Sequence, residues 1–143
     1  MIDALLSSPT VRMLEQTMSF TEQRHNVLLA DVANADVPGY VQRDLPVAQF
    51  QKALQEALRQ ERQSLNDLYE PRSQDAVEFE PGGSSVTTQS MEMPTSVPFH
   101  DRGVRSMEYI MSQMADNAEA HNMAAQFLKY KYDQMARAIS MKV

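Results

Sequence analysis

The sequence predicts an elongated all-α protein whose N- and C-terminal helices pair as an antiparallel coiled coil. A short middle helix and an extended, partly disordered segment containing Pro and Gly join them. At both ends of the chain, apolar residues recur at alternating steps of three and four. The composition, with 4 Gly, 11 Met and no Trp, is typical of helices with adaptable apolar contacts. The predicted C-terminal helix is also roughly 55 Å long, longer than the roughly 37 Å diameter of a compact chain of this size.

The N-terminal unit, residues 1–36, contains a helix predicted over residues 9–36. Ser8 is a favourable N-cap and Pro9 a favourable first residue, and Pro38 ends the helix near Asp36. The residues predicted to form its contact seam are Val11, Leu14, Met18, Thr21, His25, Leu28, Val32 and Ala35.

The C-terminal unit, residues 106–143, contains a helix predicted from Met107 to Val143. Ser106 can cap it, Glu108 lies in its first turn, and basic residues toward its end suit the helix dipole. Its predicted seam consists of Met107, Met111, Met114, Ala118, His121, Ala125, Leu128, Tyr132, Met135 and Ile139.

Two further observations concern how these helices pack. Placing His25 beside His121 sets an antiparallel register in which two polar rings share a layer, with Thr21 opposite Ala125. Apolar residues also lie off both seams, and either the middle of the chain or neighbouring copies cover them. We favour neighbouring copies because the middle is short and mostly polar. The residues of this predicted outward interface are Met13, Phe20, Val27, Met123, Phe127 and Tyr130.

The middle of the chain divides into two parts. Residues 46–69 are predicted to form a short helix, because Phe50, Leu54 and Leu58 recur at steps of four. Residues 70–105 contain four Pro residues and a Gly-Gly pair, so we expect an extended, mobile segment with at most a small hairpin.

Charge and residue types exclude several functions. With 13 basic and 19 acidic residues, the net charge of −6 disfavours nucleic acid, and we expect no direct lipid binding. There is no Cys, and His25, His100 and His121 belong to no metal-binding motif. We therefore expect no metal, no cofactor and no enzymatic activity. The N-terminus lacks the basic region of a secretory signal, so no cleaved signal peptide is expected.

The residue types of the turn predicted over residues 37–45 account for its expected conformation. Pro38 and Gly39 fit the central positions of a type II turn. Asp31 and Asp36 lie in the last helical turn, where negative charge is disfavoured, so a partner such as Arg43 is expected. An ordinary helix-ending turn is the alternative interpretation.

This segment resembles a known family. ADVANADVPGY resembles the A-N-x-A-N-x-x-T-P-G-Y/F signature of the flagellar axial proteins, which form the rod, hook and related parts of the bacterial flagellum. VQRDLPVAQF resembles the stretch that follows the motif in the shortest rod subunits. MADNAEAHNMAAQFLKYKYDQMARAIS is similar to the M-A-x-N…Y…K-F…L…A-I ending of proximal rod proteins. Val37 replaces the usual Thr, and Asp31 the usual Asn. The positions assigned to the motif and its contacts are Asp31, Ala33, Asn34, Asp36, Pro38, Gly39, Tyr40 and Arg43.

The resemblance implies a structural subunit that polymerises into the cell-proximal rod of the flagellar basal body, in the periplasm. It implies export by the flagellar type III apparatus without a cleaved signal peptide. The implied partners are copies of itself, other rod subunits, the adaptor between the MS ring and the rod, and the export gate. The alternatives are a cytoplasmic helical type III secretion chaperone or coiled-coil adaptor and, third, a small helical enzyme.

Overall fold

The structure, a computed structural model, describes residues 9–63, 76–80, 85–93 and 107–140. Its three helices are α1, Pro9–Ala33; α2, Val47–Gln63; and α3, Met107–Ser140. Its four short strands are β1, Arg43–Asp44; β2, Val77–Phe79; β3, Val86–Thr88; and β4, Met91–Glu92. The prediction of a mostly helical chain is confirmed, and the small antiparallel sheets add to the predicted all-α class.

Helices α1 and α3 pack together and run in opposite directions. Arg24 contacts Gln113, and Thr21 contacts His121. Toward the other end, the Tyr132 hydroxyl donates to the Glu15 carboxylate at 2.9 Å. Residue numbers therefore fall along α1 as they rise along α3, which is the antiparallel sense.

The predicted α3 seam is displaced by one residue in its first half. Met111 and Ala118 are exposed, whereas the residues before them, Ile110 and Asn117, are buried. The seam residues that are half-buried are Met114, His121, Ala125, Leu128 and Met135, and those exposed farther along are Tyr132 and Ile139. The physical reason at Asn117 is that its side-chain amide finds a hydrogen-bond acceptor on α1.

The predicted contact between His25 and His121 is not formed, because His121 contacts Thr21 instead. The Asn117 side-chain amide donates to the main-chain oxygen of Thr21 at 2.8 Å, and His121 Nδ1 lies 2.9 Å from the Thr21 hydroxyl. His25 is exposed. A buried amide left without a partner is costly, so satisfying Asn117 outweighs pairing two rings that can reach solvent.

The other face of α1 forms a core with the middle of the chain. Phe20 stacks on Phe50 with ring centroids 4.1 Å apart, and Phe79 packs beyond them. The remaining buried residues of this core are Leu45, Ala53, Val77 and Val86, and Val27 packs against it. Because Met13 and Phe20 are buried and Val27 is partly buried, the prediction that these three residues form an outward interface is wrong.

Two small sheets attach the middle segment to the helices. Strands β2 and β3 form an antiparallel hairpin with Val77 opposite Thr88, and the alternating burial of β2 turns Val77 and Phe79 inward. Gln23 of α1 binds the hairpin edge, donating to the Val86 carbonyl and accepting from the Thr88 N–H. Strand β1 pairs with β4, with Asp44 opposite Met91.

The observed bounds differ from the predicted ones at several places. Helix α1 ends at Ala33, three residues before the predicted end, and hydrogen-bonded turns follow it to Tyr40. The cap predicted at Ser8 lies outside the described residues. The exposed Leu58 does not lie on the buried face of α2, which Phe50, Ala53 and Ala57 form instead. The predicted extension of α2 to residue 69, the Gly-Gly pair, His100 and the cap at Ser106 lie outside the described residues.

Replacing Phe50 by Ala removes the ring at the centre of the core and is expected to lower the free energy of unfolding by roughly 3–5 kcal/mol. Phe127→Ala is the matched control, because Phe127 is exposed and its loss should change this quantity by no more than about 0.5 kcal/mol. Urea unfolding of dilute protein measures both. Equal losses in the two variants would contradict the assignment of the core.

Candidate assembly site

The chain reverses direction immediately after α1, at the predicted turn. Gly39 has a φ of +79°, the positive value required at the third position of a type II turn, and the Tyr40 N–H donates to the Val37 carbonyl at 3.2 Å. A Cβ atom at Gly39 would meet nothing within 4 Å. The glycine is therefore required for its backbone conformation and not for space.

Asp31 connects α1 to the segment that follows the turn. Its carboxylate is fully buried and accepts a hydrogen bond from the Tyr40 hydroxyl at 2.8 Å. The Arg43 main-chain N–H donates to both carboxylate oxygens, each at 3.2 Å. Burial raises the pKa of Asp31, against the opposing effects of these two donors. The sequence predicted a contact with Arg43, and the donor is the main chain of that residue.

The other motif residues have smaller roles in the structure. Asn34 donates from its side-chain amide to the Ala30 carbonyl at 2.7 Å, which satisfies an oxygen in the last turn of α1. Ala33, Asp36 and Pro38 are exposed. The partner expected for Asp36 is therefore not needed, because its carboxylate remains in water.

Arg24 forms a junction that no sequence pattern predicted. Its guanidinium binds Asp44 of β1 through two hydrogen bonds of 2.8 Å and Gln113 of α3 through one of 2.6 Å. Arg24 is buried, and its position between Phe20 and Leu28 on the helix was a signal that it required a partner. The identity of that partner could not be read from the sequence, because Asp44 follows a turn of undetermined direction.

A cleft of about 510 Å³ opens between α1 and α3, lined partly by Glu22, His25 and His121. The Thr21 hydroxyl lies 2.9 Å from main-chain oxygens of its own helix and forms a hydrogen bond of 2.9 Å with His121 Nδ1. His121 is thus a hydrogen-bonded packing residue. The two histidines share this cleft although they are not direct partners.

The outer face of α3, which we define as Met123, Phe127 and Tyr130, is open to solvent. The three side chains are 52%, 55% and 58% exposed. Tyr130 accepts a hydrogen bond from Gln134 on the same helix. Large apolar side chains rarely cluster on a solvated helix face, so this half of the predicted outward interface has the character of a contact surface.

Within the part of the chain that the structure describes, no group of three or more His, Cys, Asp or Glu residues is placed to hold a metal ion. The same residues include no helix that is both long and apolar enough to cross a membrane.

Comparison with known proteins finds no family model and no curated protein that matches this chain.

Removing the Arg24 side chain should leave the Asp44 carboxylate partly buried without its cation. We expect Arg24→Ala to lower the free energy of unfolding by roughly 3 kcal/mol. Arg59→Ala, at an exposed position of α2, should change it by no more than about 0.5 kcal/mol. The double variant with Asp44→Ala should lose less than the sum of the two single losses. Additive losses would show that the pair does not act as a unit.

The buried Asp31 should make stability depend on pH. Because burial raises the pKa of Asp31 in the folded chain, that state binds the proton more tightly than the unfolded chain does. The free energy of unfolding, relative to that of Asp31→Asn, should therefore rise as pH falls through the pKa of Asp31 in the folded chain. The rise should be complete below about pH 3.9, the pKa of Asp in an unfolded chain. Urea unfolding of both proteins from neutral to acid pH measures this difference. A difference that is constant or falls on acidification would contradict it.

Proposed function

We propose that this chain is a structural subunit of the bacterial flagellar basal body that polymerises through its terminal helices into the cell-proximal rod. The observation that carries the proposal is the exposed outer face of α3, whose opposite side already packs on α1. A helix with one apolar side used internally and a second left open is suited to bind neighbouring copies.

The shape of the helix pair supports this proposal. Helix α3 has 34 residues, which extend about 51 Å, whereas a compact chain of this size would measure about 37 Å. Met114, His121, Leu128 and Met135 recur every seven residues on the side facing α1, as in an antiparallel coiled coil. An elongated helix pair is a suitable building unit for a tube.

The turn supports the proposal through its sequence and its geometry together. The residues that resemble the axial-protein signature include Asp31, Gly39 and Tyr40, which make the contacts holding the chain reversal. Asp31 stands where the signature has Asn. Both side chains present an oxygen that can accept from Tyr40 and Arg43, so the substitution preserves the acceptor.

The proposal carries a location and a set of partners. The subunit would leave the cytoplasm through the flagellar type III apparatus, without a cleaved signal peptide, and act in the periplasmic rod. Its partners would be copies of itself, other rod subunits, the adaptor between the MS ring and the rod, and the export gate. Its role would be to transmit motor torque as a structural part, with no catalysis and no cofactor.

Export tests this function against a cytoplasmic chaperone or coiled-coil adaptor. A rod subunit should accumulate outside the cytoplasm only in cells whose flagellar export apparatus works. A chaperone should remain in the cytoplasm in both kinds of cell. Retention of the full chain in cells with a working apparatus would contradict the proposed function.

Charge on the outer face of α3 should block assembly. In Phe127→Asp and Tyr130→Asp, a carboxylate would lose its water in the contact with a neighbour, which is costly. Export should continue while motility is lost. Leu58→Asp, an exposed position on α2, is the matched control and should leave motility intact. Normal motility in both outer-face variants would show that this face remains in solvent.

A further inference from the structure

Charge is separated along α3. Its first half carries the exposed acids Glu108, Asp116 and Glu119 and no Lys or Arg. Its second half carries Lys129, Lys131 and Arg137, with Asp133 as the one acid. The helix therefore has an acidic half and a basic half, and like halves repel while unlike halves attract.

Exposed apolar residues occur in both halves of α3. Met107, Tyr109 and Met111 lie in the acidic half, and the outer face of Met123, Phe127 and Tyr130 lies in the basic half or at its border. Between them, the exposed side chains of residues 112–122 are small or polar. Each half thus combines one sign of charge with an apolar surface, and the two surfaces are different.

The spacing of these residues follows the heptad. Tyr109, Asp116, Met123, Tyr130 and Arg137 are separated by steps of seven and are all exposed, so they form one stripe along α3. Three pairs of residues are separated by the same 21 positions, namely Lys129 and Glu108, Tyr130 and Tyr109, and Arg137 and Asp116. That displacement is three heptads, or about 32 Å along the helix.

We infer that two copies of this chain associate head to tail through their α3 helices, parallel and displaced by three heptads. The basic half of one copy then lies beside the acidic half of the next. This inference rests on the proposed function for the identity of the partner, a second copy. It places Lys129 beside Glu108, Arg137 beside Asp116, and the ring of Tyr130 beside that of Tyr109. The contact is heterologous, because it joins the basic half of one copy to the acidic half of the next. The two copies at the ends of an assembly therefore each keep one free half, to which a further copy can bind.

Two other alignments match the charges less well. Parallel helices without displacement place Asp116 beside Asp116 and Arg137 beside Arg137. An antiparallel pair that joins Asp116 to Arg137 places Met123 beside Tyr130, but leaves Lys129 opposite the buried Ala124 and Tyr109 uncovered. The displaced parallel alignment pairs Lys129 and Arg137 with acids and brings Tyr130 onto Tyr109. Met123 and Phe127 lie beyond the overlap of the two α3 helices.

Disulfide trapping in the full-length chain tests this alignment, because the chain contains no Cys. Tyr109→Cys and Tyr130→Cys chains are mixed under oxidising conditions. We expect a mixed disulfide dimer to form several-fold faster than either variant links to itself. Each variant carries a single Cys, so no disulfide can form inside one chain. Circular dichroism checks that each variant keeps its helix content.

The matched control replaces the Tyr109→Cys chain by Met123→Cys, again mixed with Tyr130→Cys. Faster linkage of residues 123 and 130 would show the antiparallel alignment and overturn the inference. Equal rates in all mixtures, or no linkage at all, would also overturn it.

Charge exchange gives a second readout from the same mixture. Asp116→Arg in the Tyr109→Cys chain, or Arg137→Asp in the Tyr130→Cys chain, should reduce the mixed dimer several-fold. Both changes together should restore it, because the ion pair is re-formed with its signs exchanged. Failure to restore it would overturn the alignment.

These outcomes separate the contact from the proposed function. Export-dependent assembly in cells without linkage of residues 109 and 130 would retain the function and reject the alignment. Linkage by a chain that remains in the cytoplasm would retain the alignment and reject the function.

Discussion

Arg24 is a charged side chain enclosed between two helices, and the surrounding structure is arranged to keep it paired. A buried guanidinium without acceptors would be strongly destabilising, so Asp44 and Gln113 must both lie within reach of α1. The contact between Arg24 and Asp44 holds β1 beside α1 after the turn, and the contact with Gln113 fixes the position of α3 along α1. Leu45, the residue after Asp44, is buried in the hydrophobic core. The contact between Arg24 and Asp44 therefore also determines where the middle of the chain begins to pack.

The two long helices are consequently in different situations. Helix α1 is covered on one side by α3 and on the other by the stacked rings of Phe20 and Phe50 and by the hairpin. Among the described residues, helix α3 packs mainly on α1, and Phe127 and Tyr130 remain exposed. Contacts with neighbouring molecules, as proposed above, would therefore form mainly on α3.

Polar residues determine how the two helices align. A seam of apolar residues tolerates displacement by a helical turn, because each layer is chemically similar to the next. Asn117 differs, since its amide finds the Thr21 carbonyl at one displacement only, and Thr21 in turn binds His121. These residues supply specificity at the expense of some apolar burial.

Sequence alone determined the features that depend on neighbouring residues. Pro38 and Gly39 form the turn, and the steps of three and four place helices at both ends, because backbone preferences and periodicity act within a few residues. Tertiary structure decided the contacts between distant residues. Phe20 was expected on an outward face and lies in the core, because α2 and the hairpin reach it from positions 50, 79 and 86. The pairing of Arg24 with Asp44 and the level of Asn117 against Thr21 depend on the direction in which the chain returns. That direction follows from packing the whole chain, and no local pattern encodes it.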